Sequence, residues 1–130
     1  QFLVAGDVTM TSAFSGRRDA AQREGQNLKS TWAGVIYDLY YWVMPKGVVN
    51  KDAAMKFIAM ASSPDAQAEY ARTISYGPTN TKAMAKIDAK TQALLPTSPA
   101  NSKDALRFDV AFWADQGEAL EKRFTAWAAQ

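Results

Sequence analysis

The segment from Ile36 to Gly47 constrains this chain more than any other. It places three tyrosines (Tyr37, Tyr40, Tyr41), Trp42 and one carboxylate, Asp38, in a run that reads as a strand. β-Branched and aromatic residues suit a pleated surface, and Pro45-Lys46-Gly47 closes the run with turn residues. Alternation along a strand puts Ile36, Asp38, Tyr40 and Trp42 on one face and Tyr37, Leu39, Tyr41 and Val43 on the other. An acid among rings on a buried face needs a cation, a set of donors or an open cleft beside it.

Composition narrows the function classes. With 130 residues, 48% of them apolar, the chain has the material for one core and is globular rather than disordered. The absence of cysteine and histidine removes thiol nucleophiles, disulfides, most zinc sites and the usual catalytic triads. No cofactor is expected. A net charge of +2 carries no basic patch, so nucleic acid is not indicated. No stretch is long and apolar enough to span a membrane, and Gln1-Phe2-Leu3-Val4 does not read as a signal peptide. The first residues look like the middle of an element, and the chain reads as a piece of something longer.

In chain order, Gly6-Asp7 marks a turn, followed by an expected strand over Val8–Phe14. Helical turns are expected over Arg17–Arg23 before Gly25, and a further short strand over Leu28–Trp32. After Pro45 the pattern becomes helical. Asn50 caps a helix with Ala54, Phe57, Ile58 and Ala61 on one side, and Ser63-Pro64 starts another that runs to about Ile74. Asn80 caps a helix to about Ile87, and the prolines of Leu94–Pro99 make a loop. Ser102 is expected to cap a helix over Lys103–Ala114. Gly117 then separates a last amphipathic helix that turns Leu120, Phe124 and Trp127 inward.

Read together, Asp38–Gly47, Asn50–Ile58, Ser63–Gln67 and Ile74–Asn80 resemble the C-terminal part of bacterial extracellular solute-binding proteins of ABC importers, in the spermidine/putrescine-binding group. The likeness runs in order from about Val4 to Trp127. It implies an α/β fold, specifically the helix-rich C-terminal portion of a two-lobed periplasmic-binding-protein (type II) fold with few short strands. It also implies a path through two lobes. Residues 1–38 would belong to the second lobe, 39–78 to the first, and 79–130 to the second again. Much of each sheet would then be supplied elsewhere, by another chain or a rearrangement.

The same resemblance implies a small solute in the periplasm, delivered to a permease of the inner membrane, with a polyamine such as putrescine or spermidine the expected ligand. Carboxylates and aromatic walls hold amines, each cation–π contact contributing about 0.5–2 kcal/mol. By resemblance, Phe14 takes the place of a stacking tryptophan and Tyr76 that of a cleft tyrosine. Asp38 and Tyr40 exchange an aromatic and a ligand carboxylate, so Asp38 is either a ligand contact or a structural acid. Asp109 lies near a late polar ligand position, or pairs with Arg17 or Arg107. Trp42 is the better cleft candidate beside Tyr41. Arg17, in Ser15-Gly16-Arg17-Arg18, would meet an anionic group where a helix begins. That last feature carries the alternative ligand, an amino-acid-like or anionic compound. An enzyme using Asp38 and Asp109 as acid and base, and a fragment that only oligomerises, are the rivals from other classes.

Overall fold

All 130 residues are described by a computed structural model. In chain order the elements are α1 (Phe2–Ala5), α2 (Ser15–Arg23), β1 (Ile36–Tyr37), α3 (Lys51–Ala61), α4 (Pro64–Thr73), α5 (Thr81–Met84), α6 (Ala89–Gln92), α7 (Pro99–Ser102), β2 (Leu106–Arg107) and α8 (Val110–Ala128). Helix dominates, and the strands are two residues each.

A capping side chain starts four of the eight helices, α4, α5, α6 and α8, whereas Asn50, expected to cap α3, makes no such bond. Ser63 Oγ accepts from the Ala66 amide at 3.3 Å and Pro64 opens α4, where a missing N–H costs nothing. Asn80 Oδ1 accepts from the Lys82 amide at 3.1 Å to start α5. The other end of the Asn80 amide donates to the Ser62 carbonyl at 3.0 Å, and its backbone N–H donates to Gln67 Oε1 at 2.8 Å. One asparagine thus caps its own helix and ties it to α3 and α4. The expected Ala54, Ile58 and Ala61 stripe of α3 is half-buried, whereas Phe57 remains largely exposed.

The core is small and lies where α4 crosses α5. It consists of Ala68, Ala71, Ala83, Ile87 and Leu95, with Met84 packed against it. Alanines at the crossing let the two backbones approach, and Leu95 fills the remaining space. Gln92 Nε2 locks the following turn by donating to the Met84 and Ile87 carbonyls at 2.9 and 2.7 Å.

Four expectations change. First, the aromatic run is not a strand of eight residues, because only Ile36 and Tyr37 pair, in parallel with Leu106 and Arg107. The ladder stops there because the partner segment turns away. Asp109 Oδ1 accepts from the Phe112 amide at 3.0 Å and converts that segment into α8. Tyr40, Tyr41, Trp42 and Val43 are exposed instead of buried.

Second, Val8–Phe14 and Leu28–Trp32 are irregular, since a strand needs a neighbour for its amides and carbonyls and neither segment has one. Third, the helix from Asn80 ends at Met84, and Asp88 starts a separate α6 by accepting from the Thr91 amide at 2.9 Å and hydroxyl at 2.7 Å.

Fourth, Ser102 ends α7 instead of opening a helix, and α8 runs unbroken through Gly117. A glycine costs a helix only about 0.5–1 kcal/mol, which the other turns outweigh. The apolar face of α8 is not turned inward as expected: Phe124 and Trp127 are 64% and 66% exposed, and only Leu120 is half-buried. No helix is long and apolar enough to cross a membrane.

Candidate functional site

The N-terminus of α2 is where the expected site residues converge. Phe14 is its N-cap residue, in an extended conformation, and its carbonyl accepts from the amides of Arg17 and Arg18 at 3.0 and 3.1 Å. Phe14 contributes no capping side chain and leaves its ring 68% exposed. Ser15 reaches across sixty residues of sequence, its hydroxyl donating to the Ser75 carbonyl at 2.8 Å. That bond brings Tyr76 over the first turn of α2.

Tyr76 and Tyr40 then meet, their ring centroids 5.9 Å apart and their planes inclined by 39°. Burial raises the Tyr76 phenol above its usual 10.0, the Tyr40 phenol beside it adds to the rise, and the positive charge of Arg17 opposes it.

The two adjacent arginines divide their work, being about 100° apart around the helix. Arg18 is structural. It lies 5.2 Å from the centre of the Trp32 ring, donates through Nη1 to Ser30 Oγ at 3.0 Å and through Nη2 to the Leu94 carbonyl at 3.2 Å. Arg17 is exposed and forms no ion pair within the chain. Behind them, buried Asp19 is matched by Arg23 at 2.9 Å.

The remaining expected residues lie apart from this cluster. Asp38 follows β1 directly, is exposed, and its Oδ1 accepts from the Leu39 amide at 2.7 Å. Asp109 follows β2 and caps α8; neither it nor Asp38 pairs with an arginine. Both acids sit just past the carboxyl ends of two parallel strands, the usual place for ligand groups in an α/β sheet. Trp42 packs edge-on against Phe57 of α3, with ring centres 5.2 Å apart. Tyr76 leans on Gly16 and Tyr40.

Sequence reasoning passed over Gly16 and Ser75. A Cβ on Gly16 would lie 3.0 Å from Tyr76 Cζ, so the missing side chain is what admits the ring. Ser75 is 1% exposed, and its own hydroxyl has no partner. Nothing local marks either residue, since both matter through a contact distant in sequence.

An exposed guanidinium at the positive end of a helix suits a carboxylate, and the neighbouring rings suit an apolar or cationic remainder. That is the equipment of a binding site for a small charged solute. The fold agrees with this class. The chain superposes on an ABC transporter substrate-binding protein from Bradyrhizobium japonicum with a TM-score of 0.79 at 33% identity, over 97% of this chain and 40% of that one. It also superposes on the periplasmic binding protein AgtB from Agrobacterium tumefaciens, solved with agropinic acid, with a TM-score of 0.74 at 36% identity. That match covers 89% of this chain and 37% of the other. The fold is therefore a helix-rich portion of the periplasmic-binding-protein fold.

Residues 1–97 match the family of bacterial extracellular solute-binding proteins, and the chain belongs to that family. The family binds solutes and is not one of enzymes. The gamma-aminobutyric acid-binding protein of Pseudomonas aeruginosa is 48% identical over all 130 residues, which span 37% of that relative's length.

Proposed function

We propose that the chain forms part of the solute-binding component of an ABC importer, working outside the inner membrane, and that its solute is a small amino acid with separated charges, of the γ-aminobutyrate kind. The observation that carries this reading is Arg17, a guanidinium without an internal partner beside Tyr76 and Tyr40. A polyamine has no group for it. A carboxylate does, and the similarity to a gamma-aminobutyric acid-binding protein points the same way.

In this reading Arg17 receives the carboxylate in a charge-assisted, forked hydrogen bond. Tyr76 and Tyr40 line the methylene chain, and Phe14 closes the wall. Asp38, past the carboxyl end of β1, meets the ammonium, with Trp42 as a further ring for it. Asp109 serves α8 first and touches solute only through that placement. Residues 1–38 and 79–130 would lie in one lobe and 39–78 in the other, so Arg17 and Asp38 would stand on one lobe and closure would bring Tyr40, Trp42 and Tyr76 of the other against the solute they hold. The closed form is what a permease would recognise.

Calorimetry on the full-length protein carrying this chain tests the reading, with γ-aminobutyrate and putrescine as probes. Micromolar or tighter binding of γ-aminobutyrate, with putrescine at least about tenfold weaker, is the expected result, one lost charged hydrogen bond being worth about 1.5–3 kcal/mol. Preference for putrescine would return the ligand to the polyamine class.

A further inference from the structure

Gly16 is the residue whose absent side chain the site depends on. A Cβ there would stand 2.9 Å from Ile74 Cγ2, 3.0 Å from Tyr76 Cζ and 3.2 Å from Tyr76 Cε1, all tighter than ordinary van der Waals contact. The backbone φ of Gly16 lies in the normal helical range, so glycine is not required there for conformation. It is required for space.

The Tyr76 backbone has little room to yield. On one side the Ser75 carbonyl holds Ser15 Oγ at 2.8 Å, and the Tyr76 amide donates to the Ile74 carbonyl at 2.6 Å. On the other, a Cβ on Gly77 would come within 2.3 Å of Thr97 Cγ2, so the chain lies directly on Thr97. A side chain at position 16 would therefore press on the Tyr76 ring rather than the backbone, and that ring already meets Tyr40, the centroids 5.9 Å apart.

We propose that Gly16 is a positioning residue for solute selection: it seats the Tyr76 ring against the first turn of α2 and thereby sets the space left beside Arg17 for the chain of the solute. This rests on the binding reading above, in which Tyr76 lines the solute. It adds that a single methyl group at position 16 shortens the site.

The test combines Gly16→Ala, Tyr76→Ala and their double variant in the full-length protein, with γ-aminobutyrate and the shorter β-alanine as probes. Gly16→Ala is expected to weaken γ-aminobutyrate by about tenfold, in line with overpacking elsewhere, and to weaken β-alanine less. In the Tyr76→Ala background the same substitution is expected to cost nothing further. An unchanged ratio of the two solutes, or an effect relieved by Ile74→Ala instead of Tyr76→Ala, overturns the proposal.

Ring position is read separately, without solute, by titrating the Tyr76 phenol in a protein labelled at tyrosine Cζ. Gly16→Ala should shift that titration as the ring leaves its place against α2 and its distances to Tyr40 and Arg17 change; an unmoved titration overturns the proposal even if affinity changes. Failure of the wild-type protein to bind either solute would sink the binding reading, while the titration still decides the role of Gly16. Should Gly16→Ala fail to fold, the double variant with Tyr76→Ala must fold, and its failure also counts against the proposal.

Discussion

At the scale of single residues, the decisive contrast is between Arg17 and Arg18. Adjacent in sequence, they look interchangeable, yet Arg18 spends its donors on Ser30 and Leu94 while Arg17 keeps all of its own for solvent. Arg17→Gln in the full-length protein should therefore weaken γ-aminobutyrate by about 10- to 100-fold, the worth of one charge-assisted pair, while leaving the melting temperature within a degree or two. Arg18→Gln should do the reverse, lowering thermal stability with a smaller direct effect on affinity, because it strips a half-buried anchor stacked on Trp32. Calorimetry and a thermal melt on each variant check both. Asp38→Asn should weaken γ-aminobutyrate but not butyrate, which lacks the ammonium; equal losses for the two compounds would remove Asp38 from the amine end. The cap residues Ser63 and Asn80 were legible from the sequence because a cap acts on amides within three residues of itself. The roles of Gly16 and Ser75 were not, because each is defined by a neighbour sixty residues away.

At the scale of elements, α8 and α6 show how far local signals reach. Gly117 looked like a boundary, but nineteen residues of favourable helix carry through it, and a Cβ there would stand at an ordinary 3.7 Å from Trp113. Gly117→Ala should stabilise the chain by about 0.5–1 kcal/mol, seen as a higher denaturant midpoint. Asp109→Ala should cost about 1 kcal/mol through the lost cap and fray the first turn of α8. The start of α6 carries a pH dependence. Hydrogen bonds from the Thr91 amide and hydroxyl hold the Asp88 carboxyl below its ordinary 3.8. A depressed folded pKa means this contribution is fully present above that value and is lost as pH falls through the folded one. Amide signals of Thr91 and Gln92 should therefore shift together with the Asp88 carboxyl in an acid titration, and Asp88→Asn should abolish the coupled step. The shortened β1 taught the converse lesson. Its residues have every strand propensity, but a ladder lasts only as long as the partner stays extended, and Asp109 ends that.

At the scale of the whole molecule, the core of alanines, Ile87 and Leu95 is small beside the apolar surface left open. Trp127, Phe124, Val110 and Phe112 along α8, with Tyr41, Val43 and Val49 before α3, are all exposed. Apolar surface on this scale marks contact sites. The 130-residue chain alone should bind a hydrophobic dye and associate as concentration rises, whereas Phe124→Glu with Trp127→Glu should suppress both in sizing experiments. A well-behaved monomer without dye binding would contradict this. The chain spans 37% of the length of the gamma-aminobutyric acid-binding relative, and it keeps the relatives' backbone path across that portion.

The caps at Ser63 and Asn80 and the solute-binding kinship were readable from residues alone, since caps and proline starts act on the backbone beside them. Only the folded chain decided that Tyr76 would rest on Gly16, that one arginine of a pair would stay free, and that α8 would turn its rings outward. Each of those outcomes is a meeting or a separation of segments far apart in sequence, governed by steric fit and burial, for which one-dimensional order holds no local sign.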